Sequence, residues 1–227
     1  MVYKVFFFIF CFSLLSFSSM AQNSMPQRFL EFGFNTNSYK GDLSHSYSQW
    51  ANGINIGILN NKKKRFNGHF GLFIGKAVAQ NPNYFYDDGS NPQPTPNNFA
   101  SIFMIALDYD LHLNLYKKKN LIVYIYQGIG ALRFASYDAD HQLLSNQLNT
   151  RAQNESYTNT TFVLPNGIGV LYVTKPGFGF GFQAGWLNST THYLDNISQW
   201  GDRKKNDNVL TYRLNFYIPL TKARTDY

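Results

Sequence analysis

The residues best placed for chemistry are three histidines with oxygen-bearing neighbours. His45 lies between Ser44 and Ser46, His141 follows Asp140, and His192 precedes Asp195 by three positions. A hydroxyl, an imidazole and a carboxylate together can make an activated nucleophile. A lipid-modifying barrel enzyme could hold such a set near its outer rim. None of the three sits in a Gly-x-Ser-x-Gly or His-Glu-x-x-His pattern, the arrangements that present a nucleophile or a zinc pair. The spacing favours hydrogen-bonded loop histidines, so the chain reads as no enzyme, with no catalytic residue, metal ligand or cofactor assigned. Asp87-Asp88 and Asp138-Ala139-Asp140 offer oxygens to Ca²⁺ but lack the acidic repeat and downstream Glu of a calcium loop; solvated turns are the expectation.

A second group of ionisable residues falls inside apolar runs: Glu31, Asp108, Asp110, Arg213 and, in a run whose facing is undecided, Arg133. Unpaired charges in a narrow interior are costly, and a guanidinium can bridge two carboxylates. The expectation is a polar network that fills a lumen, with Glu31 and Arg213 brought together where the first and last strands meet. A proton or ion path is the functional alternative.

The basic residues cluster too. Lys62-Lys63-Lys64-Arg65 and Lys117-Lys118-Lys119 occupy two short connections, Lys175 a third, and Lys222 and Arg224 the end of the chain. Lysines at the edge of a lipid band reach phosphate head groups, and equally could face an acidic partner. A pI near 9.3 generically suggests nucleic acid, but an exported chain without a recognition motif speaks against it.

These groups need elements to carry them, and the periodicity supplies strands. Leu30, Phe32 and Phe34 alternate with Glu31, Gly33 and Asn35; Ile54, Ile56 and Ile58 with Asn55 and Gly57; Phe70, Leu72 and Ile74 with His69, Gly71 and Gly75. Similar alternation runs over 105–115, 162–172, 178–186 and 210–220, while 121–134 is apolar on both faces. A period of two puts one class of residue on each face, and the count is eight strands. Connections at 60–64, 116–120 and 174–176 are short; those at 39–49, 77–98, 135–158 and 188–207 are long and polar. Strict alternation of short turn and long loop predicts an all-β, eight-stranded antiparallel up-and-down transmembrane barrel, with periplasmic turns and extracellular loops. Its apolar face would meet outer-membrane lipids and its Gly-rich polar face a narrow interior. A soluble barrel with the apolar face inward would line its outside with glycines.

Composition agrees. The 227 residues are 18% aromatic and only 15% charged, with charge +7, against about 25% charged in ordinary soluble domains. The mean hydropathy of −0.30 does not suit a helical membrane protein, which needs apolar runs of roughly 18 or more residues. Lys4, the apolar run Val5 to Phe17 and the small residues before Gln22 read as a signal peptide over 1–21, leaving 22–227 as the outer-membrane barrel. Cys11, the only cysteine, lies inside that signal, so a thiolate site or disulfide framework is not expected. The proline-rich segment 91–96 reads as a stiff surface loop, and the Asn-x-Ser/Thr triplets at Asn154, Asn159, Asn188 and Asn196 as loop composition.

Three segments resemble signature stretches of the PorG-like outer-membrane barrels: Phe32-Gly33-Phe34 leading to Tyr39-Lys40-Gly41-Asp42-Leu43, then Pro165 to Val170, then Thr191-His192-Tyr193-Leu194-Asp195-Asn196-Ile197-Ser198. The chain carries His192 and Asn196 where that family usually has acids, so an acidic role at those two positions is not carried over. The resemblance implies a barrel associated with type IX secretion, with periplasmic secretion-complex subunits as partners. For the residues themselves, Gly41 suits a positive φ, and Asp42 can accept backbone N–H bonds in a turn. Tyr39, Gly41, Asp42, Tyr193 and Asp195 are expected to form a shared outer rim where the first and last loops meet.

Overall fold

The computed structural model describes residues 25–87, 89, 97–201 and 206–221. The signal segment, Asp88, the proline-rich stretch 91–96, Lys222 and Arg224 lie outside them. Eight strands run in chain order: β1 (Arg28–Lys40), β2 (Trp50–Asn60), β3 (Phe66–Gln80), β4 (Phe99–Lys118), β5 (Leu121–Tyr137), β6 (Thr160–Val173), β7 (Gly179–Ser189) and β8 (Asn208–Pro219). Each pairs antiparallel with the next, and β8 pairs with β1, so the sheet closes. Closure gives every strand a partner on both sides and leaves no sheet edge. Two single 3₁₀ turns, Leu144–Asn146 and Leu148–Thr150, are the only helical elements among the described residues.

The two faces separate as the alternation predicts. Phe34, Leu107, Tyr109, Ile129, Phe162, Ile168, Phe180 and Leu214 stand exposed on the outer surface, while Glu31, Asn55, His69, Asp108, Gln183 and Asn215 are buried inside. Such a continuous exposed apolar belt far exceeds what soluble monomers show and has the form of a lipid-facing barrel surface.

In β5, Tyr124, Tyr126, Leu132 and Phe134 point inward and Ile125, Ile129 and Arg133 outward. Its two faces look alike in sequence because the interior is not polar throughout. At the loop end, Phe73, Ile102, Met104, Leu132, Phe134, Val163 and Val209 pack into an apolar plug that includes Leu43, Leu144, Leu194 and Ile197 from three loops. At the turn end, Phe29, Leu59, Ile122, Tyr124, Leu171 and Tyr217 form a second. The expected polar lumen is therefore a middle layer between two apolar ones. The outward side chain of Arg133 removes it from that layer. Even positions of β5 point inward, and Arg133 is odd.

Candidate functional site: the lumen layer and the loop rim

The register of β3 against β4 places His69 directly opposite Asp110, with Asp108 and His112 two residues either side on the same face. His69 is the centre of the layer. Its Nε2 lies 3.2 Å from Glu31 Oε2 and its Nδ1 3.4 Å from Asp110 Oδ2, all three side chains being buried. Glu31 also accepts a bond from Asn55 Nδ2 at 2.9 Å, and the same amide reaches Asn215 Oδ1 at 3.0 Å. The glycines make this possible. A Cβ on Gly57 would stand 2.3 Å from His69 Nε2, and one on Gly128 would stand 1.9 Å from Asp110 Oδ1.

The close ionic contact of Glu31 is with His69; Arg213 acts on Glu31 at longer range. β1 and β8 do pair, but Arg213 is opposite Asn35, and Glu31 is opposite Tyr217. The four-residue offset follows from the stagger that closes the barrel. Arg213 packs its guanidinium 5.7 Å from the Phe73 ring, and its Nε and Nη2 have no hydrogen-bond partner. His69 and His112, stacked at 5.4 Å between ring centres, are the members sequence reasoning passed over. The signal was available in the inward parity of both, beside Asp110.

The loop rim is the second constellation. Tyr39, at the end of β1, donates its hydroxyl to Asp195 Oδ2 at 2.7 Å and Asp207 Oδ1 at 2.5 Å. Asp195 also accepts from the Leu43 and Ile197 backbone N–H groups, each at 3.0 Å, and Asp207 from Leu194 N at 2.8 Å. Burial, with the nearby Asp42 charge, pushes the Asp195 carboxyl up to about 7. Burial beside Asp195 raises Asp207 well above its ordinary range. Asp207 was missed because it lies outside the recognised segments.

Gly41 belongs to this rim for a different reason from the one expected. Its φ is not positive; instead, a Cβ there would lie 1.8 Å from the Tyr39 hydroxyl and 2.2 Å from Asp207 Oδ1. Asp42 borders the rim, close against Gly201. Tyr193 turns away to the β5–β6 loop, where its hydroxyl donates to Glu155 Oε1 at 2.7 Å. Asn97 and Thr150 join through Asn196, whose φ of 69° suits an Asn. The β7–β8 loop (loop four) thereby ties the β1–β2, β3–β4 and β5–β6 loops (loops one, two and three) into a cap.

Among the other loop residues, His45 and His141 are exposed and His192 is half-buried. Asp138 is a turn acceptor, bonded by Asp140 N and Gln142 N. At the opposite end, Lys62, Lys63, Lys64, Lys118 and Lys119 are exposed. Lys117 is spent on structure: its ammonium donates to Asn61 O, Asn61 Oδ1 and Lys63 O at 3.0, 2.6 and 2.8 Å, stapling the first turn to the second.

No family model matches the sequence, and no curated protein matches it. Among solved structures, the chain is similar to Neisserial surface protein A, NspA, at TM-score 0.56 and 9% identity, covering 86% of this chain and 97% of that one. It is also similar to Ail, the attachment invasion locus protein of Yersinia pestis, at TM-score 0.48 and 9% identity over 85% and 97%. At such identities the likeness to NspA establishes a shared barrel fold and nothing about activity.

Proposed function

We propose that this chain is a non-enzymatic outer-membrane barrel that acts as a docking subunit of an envelope complex, presenting its basic turns to periplasmic partners. The observation that carries this reading is the filled interior. Among the described residues, apolar layers pack at both ends of the charged layer, and the surfaces this leaves for function are the two ends. The turn end displays Lys62, Lys63, Lys64, Lys118 and Lys119 together, suited to acidic protein surfaces and to lipid phosphate. The three segments resembling PorG-like barrels favour a type IX secretion complex as the setting, with a cleaved signal over 1–21 delivering the chain. A lipid-modifying enzyme would have to assemble its site from the rim histidines, and a narrow channel would have to displace two packed plugs.

The test is co-purification from native membranes with Lys62, Lys63, Lys64 and Lys118 changed to Glu, leaving the stapling Lys117 intact. Loss of the periplasmic partners that accompany the unaltered protein supports docking through the turns. Retention of the same partners by the variant, or an unaltered barrel that purifies alone, refutes it.

A further inference from the structure

We propose that the lumen layer is a binding site for one divalent transition-metal ion of the Zn²⁺ type, held by His69, Asp110 and His112. The donor atoms of these three residues lie within 4.8 Å of one another, and all three are buried. Ligands about 2.0–2.2 Å from a shared ion stand roughly 3–4 Å apart, so a small rotation of side chains closes the set. Strand geometry holds them: Asp110 and His112 share one face of β4, and His69 is the cross-strand partner of Asp110.

Three further observations point to an ion. His112 Nε2 and Asp110 Oδ1 are buried without a hydrogen-bond partner, and the His112 ring is fixed by stacking on Tyr124 at 4.4 Å and 9°. An imidazole nitrogen and a carboxylate oxygen are both donor types that such an ion takes. Second, Glu31 Oε2 sits 3.2 Å from His69 Nε2. His69 Nδ1, 3.4 Å from Asp110 Oδ2, is the ring atom on the Asp110 side and the one placed to bind the ion, with Glu31 behind Nε2 as the kind of outer carboxylate that orients a metal-bound histidine. Third, the layer carries three carboxylates, Glu31, Asp108 and Asp110, and one guanidinium, Arg213, all buried. Three carboxylates against one guanidinium leave two negative charges, which one divalent cation balances. Two imidazoles with one carboxylate suit zinc, nickel or copper better than calcium or magnesium.

The apolar plugs above and below the layer give the site a kinetic signature. An ion enters as the barrel closes and leaves only when it opens. The experiment unfolds the purified barrel in denaturant with chelator, refolds it into detergent with Zn²⁺ or Co²⁺, strips free metal with chelator and counts what remains. The expected result is one chelator-resistant ion per chain, with Co²⁺ giving the ligand-field absorption of a nitrogen–oxygen site. His112→Phe keeps the stack on Tyr124 and removes a ligand, so it should fold and retain at least tenfold less metal. Glu31→Gln should weaken retention about 10- to 100-fold. An unaltered barrel that refolds without retaining an ion, or a folded His112→Phe barrel that retains as much, overturns the proposal. If His112→Phe fails to fold, the Co²⁺ spectrum of the unaltered barrel and metal retention by Asp110→Asn decide the matter in the same way.

Discussion

Replacing Asp195 with Ala removes an acceptor shared by three donors: the Tyr39 hydroxyl and the Leu43 and Ile197 backbone N–H groups. Leu43 and Ile197 are buried, so their amides lose a partner that water does not readily replace. An orphaned buried donor costs about 1–3 kcal/mol, whereas Tyr39 keeps Asp207 as its second acceptor. The gross loss is therefore about 2–6 kcal/mol from two amides. Relief of repulsion among Asp195, Asp207 and Asp42 offsets part of it. A net of about 2–4 kcal/mol speeds opening of loops one and four about 30- to 1,000-fold. Amide hydrogen exchange at Leu43 and Ile197, in the refolded barrel, reads this directly, while thermal melting of the strands should move little.

The same site sets a pH dependence. Burial raises the Asp195 carboxyl from an ordinary 3.8 to about 7 in the folded rim, so the folded state binds the extra proton. Its contribution to rim stability is complete below about pH 4 and is lost as pH rises through about 7. After correction for intrinsic exchange, Leu43 and Ile197 should be better protected at mildly acid pH than in mild alkali. Asp195→Asn should flatten that difference. Unchanged exchange in Asp195→Ala, or protection that rises with pH, refutes the reasoning.

Gly41→Val should open the rim by steric conflict with Tyr39 and Asp207; faster proteolysis of loops one and four, with a normally closed barrel, is the expected readout. His69→Ala strands Glu31 and Asp110 without their shared partner and should cost about 3–5 kcal/mol, measured by denaturant unfolding in detergent. Arg133→Gln, on the outer surface, should change stability by no more than about 0.5 kcal/mol in the same assay. In planar bilayers the unaltered barrel should stay electrically silent, and a steady conductance would show that the plugs do not close it.

The barrel itself was legible because alternation by two survives in seven of its strands, and short and long connections alternate without exception. β5 was not, since its inward residues supply the apolar plugs and so match its lipid-facing ones. Inward parity identified Glu31, Asp108, Asp110 and Arg213, but pairing inside a barrel depends on stagger, which no local pattern encodes. That is why the close ion-pair contact of Glu31 is with His69, while Arg213 stands across from Asn35 over the Phe73 ring. At the rim, the recognised segments marked Tyr39 and Asp195, while Asp207 became visible only when the loop folded back. Gly41 was noticed for the freedom of its backbone, yet its need is the space a hydroxyl and a carboxylate occupy.

Spin labels on single cysteines test most directly the claim that the apolar belt faces lipid around a filled barrel. Cys11 is the only native cysteine, so a chain beginning at Gln22 accepts unique labels at Phe34, Leu107, Phe162 and Leu214, with Lys118 as a turn control. In bilayer vesicles the four belt labels should be reached by oxygen and shielded from a water-soluble relaxation agent, and the Lys118 label should show the reverse. Belt labels open to the aqueous agent in a folded, vesicle-bound barrel would contradict the account.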